Sequence, residues 1–168
     1  LARMLCTLLH CPQGVDSPFG NELPPRAPDG LGLSLGTPQT DIVTISNSHP
    51  NHSHWPEFSR EGSRILHGPG EYELRGTYIR GVRISRPPND PDTPHHQNVA
   101  FMMAVDGVVL CHLGDIAHPL TARQTEEISH VDILFIPVGS QCTISVPHAV
   151  ELIATMGPKL IVPMHYAM

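Results

Sequence analysis

Residues 98–115 read Asn98-Val-Ala-Phe-Met-Met-Ala-Val105-Asp106-Gly107-Val108-Val-Leu-Cys-His112-Leu-Gly-Asp115. Two apolar runs flank one Asp-Gly pair. Both central residues of a two-residue hairpin turn need positive φ, which Asp and Gly tolerate, so the stretch predicts a β-hairpin. Its second strand runs into a polar cluster, His112 to Asp115, that continues to His118. The period then changes. Thr121 to Ser129 reads as a helix with Thr121 as N-cap and Gln124 three residues on, a capping-box pattern. Val131 to Pro137 is an apolar strand. Ser145 caps a second helix, with Pro147 in its first turn, Val150, Ile153 and Ala154 on one apolar face, and Gly157-Pro158 as its stop. Leu160-Ile161-Val162 is a last strand, ending at Pro163-Met164-His165.

Upstream the chain reads mostly as strand. Arg64-Ile65-Leu66 is a short strand and Gly68-Pro69-Gly70 a turn. Tyr72, Leu74, Tyr78, Ile79, Val82 and Ile84 follow in a β pattern broken by Gly76 and Gly81. Ile42-Val43-Thr44-Ile45 is a β-branched run suited to a buried strand, and it ends in a His-rich loop, Ser46 to His54. Residues 12–40 and 86–97 hold too many prolines and glycines for helix or central strand, so they are long loops. A strand-rich first half and an alternating second half predict an α/β fold with mixed sheets. No internal repeat is visible, and residues 1–168 form a single domain.

The chain has 168 residues, with ten basic and sixteen acidic side chains, a formal charge of −6 and twelve histidines. That balance excludes a basic nucleic-acid footprint and a polybasic membrane patch. No stretch approaches the ~20 apolar residues needed to span a bilayer. The apolar start, Leu1 to Leu9, has the run of a shortened signal peptide but no A-x-A-like cleavage site after it. Cys6, Cys11, Cys111 and Cys142 form no CxxC and are too scattered for a disulfide framework. Thiols in a reducing, cytoplasmic compartment are the expectation. A small-molecule substrate is the expected partner, with a further copy of the chain as an option.

Three polar clusters follow strands: Asn47 to His54, His112 to Asp115, and His165. Loops after the strands of an α/β sheet commonly converge on one site. Imidazole and carboxylate together suit zinc. From chemistry alone, a metal site and a solvated His-rich loop are equally good readings.

At these residues the chain resembles a family. Asp41-Ile-Val-Thr-Ile-Ser46 running into Asn47-x-His49-x-Asn51-His52 is similar to the HxHxDH motif of the metallo-β-lactamase superfamily. Gly68-Pro-Gly-Glu-Tyr-Glu73, Cys111-His-Leu-Gly-Asp115, Pro137-Val-Gly139 and Ile161-Val-Pro-Met-His-Tyr166 resemble, in order, elements of its UlaG-like Zn-dependent hydrolase branch. The resemblance covers residues 41–168 well, 15–40 weakly and 1–14 not at all. It implies an αββα sandwich of mixed sheets flanked by helices, with a metal site at one sheet edge, and both termini incomplete. It implies His49 as a first-metal ligand, His52 and His165 as second-metal ligands, and Asp115 bridging. It further implies that Asp115 and His165 serve catalysis, with metal-bound hydroxide attacking a carbonyl or phosphoryl centre.

The chain departs from that pattern. The motif's first histidine is Asn47 here, its aspartate is Asn51, and the loop after Ser85 lacks the family's isolated histidine. Carboxamides are poor zinc ligands beside imidazole or carboxylate. His52, Asp115 and His165 still make three protein ligands with an open position, the pattern of a mononuclear catalytic zinc. One ion, zinc or manganese, is therefore expected rather than two. His54, His95, His96, His112 and His118 are candidate stand-ins, each with a solvated or packed reading beside it. Glu71 and Glu73 share a strand face and are expected to meet water at a sheet edge. Two functions follow: a metal-dependent hydrolase of a small ester, lactone, amide or phosphodiester, or a degenerate binding domain that keeps the sandwich without catalysis.

Overall fold

The computed structural model describes residues 4–6, 40–47, 55–56, 59–84, 98–139 and 143–165. Nine strands and two helices are assigned among them: β1 Met4–Cys6, β2 Thr40–Ile45, β3 Ser59–His67, β4 Gly70–Leu74, β5 Thr77–Arg83, β6 Val99–Val105, β7 Val108–His112, α1 Ala122–Glu127, β8 Ile133–Pro137, α2 Val146–Met156 and β9 Leu160–Met164. They make a three-stranded sheet, β1-β2-β3, and a six-stranded sheet, β4-β5-β6-β7-β8-β9.

The smaller sheet is parallel, with β2 in its centre and all six of its residues buried. A strand buried on both faces needs the β-branched run that Thr40 to Ile45 supplies. Met4↔Ile42 sets the register of β1, so this part of the apolar start is sheet. Strand β3 begins at Ser59, earlier than the Arg64 expected, with Gly62 at φ +84° absorbing an irregularity. Asp41, 5% exposed, accepts a hydrogen bond from the Arg60 guanidinium and has Arg75 Nη1 at 3.7 Å. Two half-exposed cations thus accompany a buried carboxylate, which would otherwise be costly to desolvate.

In the larger sheet β4 to β7 are antiparallel and β7, β8 and β9 are parallel. The Asp106-Gly107 hairpin forms as expected, at φ +50° and +80°. Arg75-Gly76 forms a second one, at φ +52° and +74°. Gly76 is therefore a hairpin turn, and Gly81 lies inside β5 rather than breaking it. A Cβ at Gly81 would sit 2.7 Å from the Gly68 carbonyl oxygen, so the close approach of the Gly68-Pro69 backbone requires glycine there.

Residues alternate along β6 between two cores. Val99, Phe101 and Met103 join Ile42, Leu66 and Ile79 between the sheets. Ala100 and Met102 face the other way, toward Cys111, Leu134, Ile136, Ile128 and the second helix. This gives two sheets and a helical layer, a metallo-β-lactamase-type sandwich of mixed sheets. The described residues place no helix on the outer face of the smaller sheet.

Helix α1 has the expected capping box, with the Thr121 side chain on the Gln124 N–H and Gln124 reaching back. Helix α2 starts after Ser145 and ends on Gly157 at φ +58°. Its buried face differs from the expected one. Ala149 and Leu152 are buried, Ile153 and Met156 pack beside them, and Val150 is 59% exposed. The 149/152/153/156 spacing is the i, i+3, i+4, i+7 stripe, which gathers more apolar volume than Val150, Ile153 and Ala154.

Asp132 ties the roots of three strands. Its carboxylate accepts the Val109 N–H (2.8 Å) and pairs with Lys159 Nζ (2.7 Å), while its carbonyl accepts Leu160 N–H (2.9 Å). The Lys159 hydrogen bond, with the Val109 N–H behind it, holds the carboxyl below the usual aspartate pKa. A lowered folded pKa contributes stability above the unfolded value and loses it as pH falls through the folded one. Acid titration followed by circular dichroism should therefore show Asp132→Asn with a shallower stability loss on the acid side, and lower stability than the parent near neutrality.

Candidate metal centre at one sheet edge

Strands β7, β8 and β9 run parallel, so their C-terminal ends share one edge of the larger sheet. Asp115 follows the end of β7 and His165 follows the end of β9. They are two strands apart, about 10 Å at ordinary interstrand spacing. The end of β2 in the smaller sheet reaches the same edge. Val99 N–H donates to the Ser46 carbonyl (2.8 Å), and Asn47 forms an isolated β-bridge with Asn98. Here the two layers are joined by backbone.

The Leu113-Gly114-Asp115 turn is packed tightly into that junction. Gly114 has φ +63°, and a Cβ on it would lie 2.4 Å from Asn98 Oδ1 and 2.7 Å from Ser46 Cβ. Only glycine fits, both for its dihedral and for the space. Asn98 Nδ2 donates to the Leu113 carbonyl (2.9 Å), and Asn98 Oδ1 accepts the Asp115 N–H (3.1 Å). At the other end, Val138 N–H donates to the Met164 carbonyl (2.9 Å), and a Cβ on Gly139 would come within 2.2 Å of the His165 carbonyl oxygen. The loop after β8 therefore backs the His165 turn, and His165 itself sits at φ +52°.

His112, 2% exposed, packs its ring 6.0 Å from that of Phe135. Its Nδ1 accepts the Gly114 N–H (3.1 Å). In the neutral ring the proton is then on Nε2, so neither nitrogen offers a lone pair to a metal. The structure shows His112 packed behind the turn and supporting it through Nδ1. His118 is different: its Nδ1 donates to the Pro119 carbonyl (3.0 Å), so in the neutral ring Nε2 carries the lone pair. Glu71 and Glu73 are exposed on β4 as expected, while Tyr72 and Leu74 pack inward.

His49 and His52, and the candidates His54, His95 and His96, lie outside the described residues. Among the described residues no three His, Cys, Asp or Glu side chains gather closely enough to hold a metal. Of the four ligands expected from sequence, the structure thus places Asp115 and His165 on one edge. Asn47, at the motif's first-histidine position, is 5% exposed in the seam between layers. Asn98 is the residue that sequence reasoning missed. An asparagine opening an apolar strand was the only signal available. A polar cavity of about 410 Å³ between β5 and α1 shares no lining residue with this edge. Its Arg80 donates to the Glu127 carbonyl and its Arg123 pairs with the Glu127 carboxylate.

A sandwich with a carboxylate and an imidazole after strands at one sheet edge has structural likenesses among solved proteins. A Thermotoga maritima protein assigned to the Zn-dependent hydrolases of the metallo-β-lactamase superfamily superposes with TM-score 0.65 at 33% identity, covering 79% of this chain and 62% of that one. A metal-dependent hydrolase fold from Parabacteroides distasonis superposes with TM-score 0.63 at 20% identity, over 77% of this chain and 67% of that one. Residues 18–165 match the Beta-lactamase superfamily domain, and the chain belongs to the metallo-β-lactamase superfamily. Among curated relatives, a UPF0173 metal-dependent hydrolase of Carboxydothermus hydrogenoformans is 36% identical over 66 residues, 39% of this chain and 29% of that protein. One from Thermus thermophilus is 23% identical over 155 residues, 80% of this chain and 69% of that protein. The matched stretch is thus less than a third of the Carboxydothermus protein's length. The named relatives are UPF0173 hydrolases, and these matches do not single out the UlaG-like branch.

Proposed function

We propose that this chain is a metal-dependent hydrolase of a small molecule, with one zinc or manganese ion held by His52, Asp115 and His165 and with His49 beside them. The observation that carries this is the shared edge: the ends of β7 and β9 deliver Asp115 and His165 to the side where β2 ends at Ile45 and the chain continues through Asn47, two residues before His49. The donor set fits such an ion, since one carboxylate and neutral imidazoles are what zinc and manganese accept. A bound ion supplies Lewis acidity and lowers the pKa of water to about 7, so a nucleophile is available at neutral pH. Asp115 supplies the anionic oxygen, and the imidazoles supply neutral nitrogens. The Leu113 to Asp115 turn holds the carboxylate at a fixed place on the edge. Esters, lactones, amides and phosphodiesters all present an electrophilic centre that such a site can serve. The UlaG-like affinity, which rests on the Gly68 to Glu73 and Ile161 to Tyr166 strings, and a cytoplasmic setting belong to the same proposal.

A second reading is a degenerate binding domain. Burial of Asn47 in the seam favours it, because the first-histidine position then serves packing instead of a metal. Elemental analysis separates the two. The folded, purified chain is expected to hold about one equivalent of zinc or manganese, as a three-ligand catalytic site does. His165→Ala should abolish turnover of a panel of small esters, lactones and phosphodiesters. A folded sample without metal at neutral pH would overturn the hydrolase. Metal binding gained only after Asn47→His with Asn51→Asp would establish the degenerate domain.

A further inference from the structure

We infer that Asn98 is the positioning residue for Asp115: one buried carboxamide clamps both ends of the turn that presents the carboxylate. Asn98 is 5% exposed. Its Nδ2 reaches the Leu113 carbonyl at 2.9 Å and its Oδ1 takes the Asp115 N–H at 3.1 Å. The turn's other N–H groups are tied as well. Leu113 N–H donates to the Phe135 carbonyl (3.1 Å), and Gly114 N–H donates to His112 Nδ1 (3.1 Å). Asn98 is itself fixed at both flanks. Its carbonyl accepts the Ile84 N–H (2.9 Å), and its backbone bridges Asn47.

The chemistry explains the residue type. The two ends of the turn present one acceptor and one donor, and a flat carboxamide carries the complementary donor and acceptor on a single short side chain. Aspartate would face the Leu113 carbonyl with a second acceptor. Leucine, of similar size, would leave both backbone groups unsatisfied in a buried place, where each is costly. The missing Cβ of Gly114 lets Oδ1 approach, so Asn98 and Gly114 form one device. A carboxylate on a clamped turn loses little freedom when it meets an ion. Supporting partners of this kind are worth about 10–100-fold in metal affinity.

The inference rests on Asp115 being a metal ligand, as proposed above. The test is zinc titration against a chromophoric chelator, well below each variant's melting temperature, on the parent, Asn98→Leu, Asn98→Asp, Asp115→Asn and Asp132→Asn. Both Asn98 variants should bind zinc about 10–100-fold more weakly while folded. Asp132→Asn, destabilised far from the edge, should keep the parent affinity, which separates positioning from general loss of stability. If Asn98→Leu does not fold, Asn98→Asp carries the same expectation. Parent affinity in a folded Asn98 variant, with zinc lost from Asp115→Asn, would overturn the role of Asn98 alone. Parent affinity in Asp115→Asn, or no zinc in the parent, would overturn the proposed function and this inference with it.

Discussion

Asp115→Asn should leave the fold standing and remove the metal. The Asp115 backbone N–H, and not its carboxylate, meets Asn98 Oδ1, so the substitution keeps the clamp and the turn. The residue lies outside both apolar cores, and the melting temperature should stay within a few degrees of the parent. The site, by contrast, loses the one anionic donor among its expected ligands, and a carboxamide is a weak replacement. Zinc affinity should fall by at least about a hundredfold, beyond what changes to supporting partners cost. Hydrolysis should fall to background at equal zinc. Isothermal titration beside thermal unfolding reads both quantities on one sample. A variant that keeps zinc and turnover would remove Asp115 from the ligand set.

Gly114→Ala should have the largest effect on stability. Two costs add. Alanine in the left-handed region costs about 1–2 kcal/mol. A methyl group 2.4 Å from Asn98 Oδ1 and 2.7 Å from Ser46 Cβ forces the junction apart. Overpacking of this kind costs about 1–3 kcal/mol. The sum, about 2–5 kcal/mol, is a large part of the 5–15 kcal/mol typical of a domain. Gly107→Ala is the control. Gly107 has φ +80° with nothing within 4 Å of a Cβ, so it bears the dihedral cost alone. Chemical denaturation of both variants should show Gly114→Ala the less stable by about 1–3 kcal/mol, the overpacking share. Equal losses would mean that the junction yields without cost.

Much of the architecture was legible in the sequence because its signals are local. Asp106-Gly107 declared a hairpin, and both residues do take positive φ. Thr121 and Gln124 declared a helix start, and the capping box forms. The burial of Ile42 to Ile45 followed from β-branching, whereas Thr40, expected at the end of a loop, joins the same strand with Asp41. The Arg75-Gly76 hairpin was not read, because arginine gives no turn signal and the turn is imposed by the pairing of β4 with β5. The rotation of α2 was missed for a related reason. Val150 is as apolar as Ile153, and only the shape of the sheet beneath decides which stripe is buried.

The candidate site divides in the same way. Asp115 and His165 stand out as candidates because imidazole and carboxylate are ligand chemistry and both follow strands, while their ligand roles come from the family resemblance. His112 could not be resolved from type, since an imidazole packs or ligates with equal ease. In the structure it packs, with its Nδ1 accepting the Gly114 N–H. Asn98 is invisible in one dimension. Its two hydrogen bonds span 15 and 17 residues of chain, and only the β6–β7 pairing brings those partners together.

The seam at Ser46–Val99 and Asn47–Asn98 joins the smaller sheet, whose central strand is followed in sequence by the expected donors His49 and His52, to the larger sheet, whose strands lead to Asp115 and His165. An ion gripped from both sides would bind the folded chain and find no such grip on the unfolded one. Its concentration would then enter the unfolding equilibrium by mass action, adding about 4 kcal/mol at a thousand times its dissociation constant. If the proposed ion is held there, it would fasten one sheet to the other, and a chelator would lower the stability of this chain.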